Sequence, residues 1–351
     1  MRISADYLRS IAEARRAGFI AAVITGLLTP FSWLYSGCIG LLSFLRSARR
    51  RKLPCAVISV GNITWGGTGK TPLVEFIALF LKRNGRNPAV LSRGYGASGG
   101  FSAGDEPLML QNRMPLIPVL TDKKRLRSAR KAMETWGADT LILDDGFQQW
   151  GISKDLDIVT VDAANPFGNG RVIPAGMLRE PLSALKRADI FVLTRCEKEE
   201  EKQHLKNRLS SLNPRACIFC CNHRVAGFYP VFGEAAGVIT EPEFFSGKEV
   251  VAFSGIAVPR SFERSLENTG ARITGARRFP DHYFYGRREI EAIIAGCRGR
   301  PVVTTEKDAA RLSVLYDGRP PAGIWVMRIE LEFKNDDDQR LRDRLLGIYR
   351  S

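Results

Sequence analysis

The run Gly61-Asn62-Ile63-Thr64-Trp65-Gly66-Gly67-Thr68-Gly69-Lys70-Thr71 has the residue types and spacing of a phosphate-binding loop. A short apolar stretch, Cys55 to Val60, enters it, and a helical pattern leaves it from Thr71 to Arg83. Glycines let successive backbone N–H groups curl around phosphate oxygens, and the N-terminus of the following helix adds a favourable dipole. In such a loop Lys70 reaches the β- and γ-phosphates of a nucleotide, and the Thr71 hydroxyl binds magnesium. Thr64, Gly66, Gly67, Thr68, Gly69, Lys70 and Thr71 are therefore expected to hold the nucleotide, with Lys70 also catalytic. The usual spacing puts a glycine five residues before Gly69, and Thr64 stands there instead. Further on, Leu141-Ile142-Leu143-Asp144-Asp145 reads as a buried strand that delivers two acids to the edge of a sheet. Downstream of a phosphate loop this is a Walker-B pattern, so Thr71, Asp144 and Asp145 form the expected metal set.

Four other groups carry weaker signals. Arg93 and Tyr95 lie in a glycine-rich turn directly after a strand, at the edge where phosphates sit, and turn formation explains the glycines but not the arginine. Arg179 and Glu180 precede Pro181, so they either meet substrate or cap a helix. Thr304-Thr305-Glu306-Lys307-Asp308 ends a strand and reads as an N-cap on Thr305 or as a contributor to the nucleotide side. Cys217, Cys220, Cys221 and His223 stand at spacings a metal would accept, but Ala216 to Cys221 reads better as a buried strand, and a second ligand pair is missing.

The elements that must position these residues alternate strand and helix from about residue 55. Strands are expected at Ala89–Ser92, Leu116–Leu120, Thr140–Leu143, Leu156–Val161 and Ile190–Thr194, with a basic helix from Asp122 to Trp136. That alternation predicts an α/β fold of the P-loop NTPase type, a mainly parallel sheet flanked by helices. Glycines and Pro230 break the pattern between Arg224 and Thr240, which reads as an extended linker. A smaller α/β unit follows, with strands at Glu249–Phe253, Ala271–Thr274 and Pro301–Thr304, a helix at Pro259–Thr269 and a terminal helix from Asp338 to Arg350 that is expected to pack back on the first domain. The expected division is 1–52, an N-terminal membrane-associating helical segment; 53–223, the P-loop domain; 224–240, the linker; and 241–351, the smaller domain.

With 52 Lys and Arg against 37 Asp and Glu, the 351-residue chain carries a formal charge of +15, which implies an anionic partner. Seven scattered cysteines are an odd number and fit reduced thiols better than a disulfide framework. Phe19 to Leu45 contains no charged residue, includes Trp33 and Tyr35, and is followed by Arg46, Arg49, Arg50, Arg51 and Lys52. Its length would permit a span, but Pro30, Gly26, Gly37 and Gly40 interrupt it and Gly18 precedes it. Insertion of helices into a membrane surface, with the basic cluster on the cytoplasmic side, is the expectation; one irregular span and a pair of buried core helices are the alternatives.

The motifs occur together in one order: Gly61 to Pro72, Ser92-Arg93-Gly94-Tyr95-Gly96, Gly104-Asp105-Glu106-Pro107, Asp144-Asp145-Gly146-Phe147-Gln148, Leu178-Arg179-Glu180-Pro181, Phe279-Pro280-Asp281-His282 and Thr304 to Asp308. In this the chain resembles the tetraacyldisaccharide 4'-kinases, the lipid A kinases of Gram-negative bacteria, from its N-terminal segment to about residue 312. Thr64 belongs to that family's glycine spacing, whereas Gln149, Trp150 and Tyr283 depart from its usual residues.

The resemblance implies ATP-dependent phosphorylation, with Mg2+, of the 4'-hydroxyl of a tetraacylated glucosamine disaccharide 1-phosphate. It implies an enzyme at the cytoplasmic face of the bacterial inner membrane, partnered by the acylated lipid and the membrane surface. It matches Asp105 and His282 to the family's catalytic pair, the carboxylate acting as base with the imidazole orienting it. In that reading a second domain must fold over the first. Arg93, Tyr95, Gln148, Arg179 and Glu180 are the expected substrate contacts. A monomer is expected, and no nucleic-acid partner, since charge alone favours one and no recognition helix, zinc finger or RNP pattern accompanies it. Partition-type ATPases are similar in the loop but carry a lysine where this chain has Trp65.

Overall fold

The computed structural model describes residues 5–94, 105–196, 199–232, 238–281, 283–316, 321–334 and 336–349. In chain order the first elements are α1 (Ala5–Ala12), α2 (Phe19–Ala48), β1 (Ala56–Gly61), α3 (Lys70–Arg83), β2 (Pro88–Ser92), α4 (Asp105–Arg113), β3 (Val119–Thr121), α5 (Arg125–Trp136), β4 (Thr140–Asp144), β5 (Leu156–Asp162) and β6 (Ile190–Thr194). They continue as α6 (Glu199–Leu212), β7 (Cys217–Pro230), β8 (Glu249–Ser254), α7 (Pro259–Glu267), β9 (Arg272–Arg278), α8 (Arg287–Gly296), β10 (Val302–Thr305), α9 (Glu306–Leu315), β11 (Ile324–Phe333) and α10 (Asp337–Gly347). Short 3-10 turns occupy Leu182–Arg187 and Pro242–Phe245.

The chain divides into two units. The first comprises Met1–Arg93, Leu116–Asn222 and Phe333–Ser351; the second comprises Gly94–Pro115 and His223–Glu332. The first unit's strands run in the order β3-β2-β4-β1-β5-β6-β7, each parallel to its neighbours. Strands β2, β4 and β6 are buried at every position, as expected when helices cover both faces of a parallel sheet. Two apolar clusters fill the space. One gathers Phe147, Val159, Phe167, Phe191 and Leu209; the other gathers Val57, Leu91, Ala129, Leu141 and Ile152. The register places Val60 beside Asp144, Gly61 beside Val159, and Asp162 beside Thr194, so four strands end along one edge.

The second unit has its own parallel strands in the order β11-β10-β8-β9 and its own cores, built on Phe228, Phe245, Val250, Phe262 and Val303 and on Phe253, Tyr285, Ile290 and Leu312. Helix α4 belongs here because its ends are tied to α9: Arg113 Nε donates to Glu306 Oε1 at 2.6 Å, and Lys307 pairs with Glu106. Helix α10 belongs to the first unit. Arg342 stacks 4.9 Å and 4.8 Å from the rings of Phe76 and Phe80, and Leu341 and Leu345 are fully buried. A linear division at residue 241 registers neither of these returns, since both rest on contacts far apart in sequence.

Several element boundaries differ from the sequence reading for local reasons. Asp122 Oδ1 accepts from Lys124 N at 2.8 Å, and this turn delays α5 to Arg125. β3 starts only at Val119, after Pro118, with Leu116 exposed. The stretch from Arg224 is the continuation of β7 to Pro230 rather than a separate ribbon. Cys220 and Cys221 are adjacent on β7 and so face opposite sides of it.

The N-terminal apolar segment forms one helix of 30 residues, about 45 Å long, and not a pair of core helices. Ser32 and Ala21 are its buried residues. Ser32 Oγ donates to Val172 O at 2.8 Å and accepts from Ala175 N at 3.0 Å, Tyr35 donates to Arg179 O at 3.3 Å, and Arg46 lies 5.9 Å over the Trp150 ring. One face is thus docked from Ser32 to Arg46, while Leu27, Phe31, Trp33, Leu34, Leu41 and Phe44 on the rest are each 60 % exposed or more.

Candidate functional site

β1 delivers the chain to the loop at Gly61, where a side chain is impossible: a Cβ there would stand 2.5 Å from Phe147 N. The start of the loop is pinned on the Met177–Arg179 segment. Arg179 N donates to Ile63 O at 2.7 Å and Trp65 N to Met177 O at 3.0 Å, with Thr64 bridged to Leu178. Thr64 is buried, and its φ lies outside the left-handed region, so no glycine is required where the common spacing has one. Gly66 and Gly69 do take left-handed φ values of 116° and 80°. Gly69 then caps α3 without any side-chain hydrogen bond, and the first turn holds no acid. The helix N–H groups are thus left for a ligand.

Lys70 Nζ donates to Asn62 Oδ1 at 3.2 Å and lies 3.5 Å from Asp145 Oδ1. Arg179 Nη1 reaches the same carboxylate at 2.9 Å and 2.8 Å. Burial works against ionisation of Asp145, but Lys70 and Arg179 outweigh it and hold its pKa below the ordinary carboxylate value. Gln148 Nε2 donates to Asn62 O at 3.2 Å and Glu180 Oε1 at 3.1 Å, while its Oε1 faces Arg179 Nη1 at 3.5 Å. Glu180 is almost fully buried and takes Arg187 Nη2 on both oxygens, at 3.0 Å and 2.9 Å. Lys70, Asp145, Gln148, Arg179 and Glu180 therefore form one connected polar network. Asn62 and Arg187 complete it, and sequence reading gave neither a role. Asn62 stood inside the quoted loop; Arg187 closes the short turn after Pro181, a signal only in retrospect.

The two acids at the end of β4 have different neighbours. Asp144 is buried, accepts from Ser92 Oγ at 3.3 Å, and its carbonyl takes Arg125 Nη2 at 2.8 Å; Asp145 turns away with φ 54° to meet Lys70 and Arg179. Arg93 follows β2 directly, exposed. Asp105 is the first residue of α4, in the second unit. Tyr95 and His282 lie outside the described residues, as does the side chain of Asp105. Thr305 acts as the N-cap of α9, accepting from Asp308 N, and buried Asp308 binds Tyr285, Gly255 N and Arg311, so this motif has a structural task.

A nucleotide and magnesium fit what is present. The loop offers an uncapped helix N-terminus, an ammonium group and open space over Gly66 and Gly67 for an anion, while Thr71 and Asp144 are hard oxygen donors of the kind magnesium takes.

A parallel sheet whose first strand runs through a Gly-Gly-Thr-Gly-Lys-Thr loop into a helix, with acids ending the neighbouring strand, defines a P-loop enzyme of the phosphoryl-transfer class. The model of the family "Tetraacyldisaccharide-1-P 4'-kinase" matches residues 24–349, and the chain belongs to that family. A tetraacyldisaccharide 4'-kinase of Syntrophobacter fumaroxidans is 39 % identical over 312 residues, covering 84 % of this chain and 80 % of the relative. One of Anaeromyxobacter sp. strain Fw109-5 is 40 % identical over 301 residues, covering 80 % of each. Among solved structures, LpxK of Aquifex aeolicus in complex with ATP superposes with a TM-score of 0.73 at 26 % identity, over 93 % of this chain and 99 % of that one. The match continues past residue 312, where the motifs end, because β11 and α10 complete the two units.

Removing the Lys70 charge should lower kcat by at least about a hundredfold in folded protein. Asp144→Ala should lose activity in a way that depends on magnesium concentration. Steady-state kinetics on both variants, with circular dichroism as the folding control, would refute the assignment if Lys70→Ala kept near wild-type kcat.

Proposed function

We propose that this chain transfers the γ-phosphoryl group of ATP to the 4'-hydroxyl of a tetraacylated glucosamine disaccharide 1-phosphate. The observation that carries the reading is the Lys70–Asp145–Arg179 array at the mouth of a phosphate loop, in a chain of the 4'-kinase family. In phosphoryl transfer the protein mainly positions groups and neutralises charge. Lys70 and the N-terminus of α3 supply positive potential for the phosphates, with Thr64 and Gly66 to Thr71 as the cradle. Thr71, Asp144 and Asp145 are proposed to hold magnesium, which when bound neutralises phosphate charge. Arg93, Tyr95, Gln148, Arg179 and Glu180 are proposed to receive the anionic disaccharide.

A sugar hydroxyl needs somewhere to put its proton, and Asp105 with His282 is proposed as base and orienting partner. Support comes from their neighbours in the second unit. Glu106 pairs with Lys307, whose ammonium also feels the charge of Asp281. The segments carrying both residues belong to the same unit. Purified protein given γ-labelled ATP and the acceptor should label the lipid. Compared by kcat/KM, Asp105→Ala, His282→Ala and the double variant should be strongly non-additive, the double little worse than the worse single. Full additivity with ATP binding intact would dissolve the pair.

The same reading puts the enzyme on the cytoplasmic face of the bacterial inner membrane. Helix α2 is docked along one face and apolar on the other, and Arg46, Arg49, Arg50, Arg51 and Lys52 follow it. A helix held to its own domain over this length suits insertion along the surface, with the cations meeting anionic headgroups. Replacing Leu27, Leu34 and Leu41 together by glutamate spares the docked face. Flotation with anionic liposomes should retain the wild type and lose the variant; equal flotation of a folded variant would contradict surface insertion.

A further inference from the structure

We propose that Thr194 and Arg195, at the end of β6, are positioning residues that set the phosphate loop by holding the carbonyls of Thr68 and Gly67. Thr194 Oγ1 donates to Thr68 O at 3.2 Å, and Arg195 Nη2 approaches Gly67 O at 3.5 Å. Two consecutive residues of one strand end therefore engage two consecutive carbonyls of the loop. A trans peptide is planar, so its C=O and the next residue's N–H point in opposite directions. Drawing the Gly67 and Thr68 carbonyls toward β6 turns the N–H groups of Thr68 and Gly69 away from β6.

The supporting parts are held by contacts within the protein. Arg195 forms an ion pair with Asp162, which ends β5 and stands beside Thr194 in the register. Its backbone adopts φ 57°, a left-handed conformation that is costly for a residue with a Cβ and that brings the guanidinium back under the loop. From the next strand, Thr160 Oγ1 lies 2.7 Å from Thr68 Oγ1 and also donates to Gly61 O at 3.1 Å. Thr68, Thr160 and Thr194 are all buried, so water does not compete for these bonds. Of this set only Thr68 was legible as functional; Thr194 reads as the end of a strand, and nothing in the sequence gives Thr160 or Arg195 a role.

The inference rests on the phosphate-loop reading, and Lys70→Ala serves as the control for that reading. Thr194→Val removes the hydroxyl at constant shape, and Thr194→Ser restores it; Arg195→Ala removes the second contact. Measured by KM for ATP, KM for the acylated acceptor and kcat, together with the melting shift that ATP produces, Thr194→Val and Arg195→Ala should each raise KM for ATP about five- to tenfold. KM for the acceptor should stay unchanged, and Thr194→Ser should recover the wild-type value. If Lys70→Ala abolishes turnover while both variants keep KM for ATP within about twofold, the inference fails and the site stands. An equal rise in both KM values, or no recovery in Thr194→Ser, would likewise overturn it as mere loss of structure. If Lys70→Ala turns over normally, the phosphate-loop reading itself falls.

Discussion

A triphosphate carries several charges on a flexible chain, and the constraint that governs this molecule is that donors for it be fixed before it arrives. Donors that must reorganise on binding give back much of what they gain. The protein meets this with backbone N–H groups at an uncapped helix start and one ammonium group, Lys70, held between Asn62 and Asp145. Everything else in the first unit serves to keep that arrangement in place. The register of β1, β4, β5 and β6 brings Gly61, Asp144, Asp162 and Thr194 to one edge, and the network through Gln148, Glu180 and Arg187 fixes the far side.

Asp145 illustrates the balance of terms. A largely buried carboxylate is normally driven toward its neutral form, yet two cations within 3.5 Å keep it charged. A charged Asp145 in turn keeps Lys70 and Arg179 from repelling each other at close range. Removing Asp145 would leave two partly buried cations without the carboxylate they share, which is costly in such surroundings.

How much of this was legible in the sequence depends on range. The loop, its helix and the Asp144-Asp145 strand end were legible because each is local: a strand, a turn and a helix start in a single run. Thr64 departs from the common glycine spacing but fits the family's, and its bridge to Leu178 with a φ outside the left-handed region gives the physical reason. Gln148, Arg179 and Glu180 were proposed from resemblance, and their physical connection runs through Asn62 and Arg187, which no spacing rule selects. The return of α10 to the first unit was expected of a terminal helix, but that of α4 to the second was hidden, because it depends on side chains far apart in sequence, such as Arg113 with Glu306. Helix α2 showed its apolar character in composition, but the docking of Ser32 and Tyr35, which separates a surface-lying helix from a core one, needed the folded chain.

The central claim is that the loop and its network serve transfer to a single hydroxyl of an acylated disaccharide. The most direct measurement is the position of the new phosphate, by phosphorus–proton correlation spectroscopy of the product formed from ATP and the disaccharide 1-phosphate. The account predicts one new phosphomonoester whose phosphorus couples to the proton at the 4' carbon, beside the unchanged 1-phosphate. A phosphorus correlated with any other ring position, or a second phosphate added to the existing one, would contradict it.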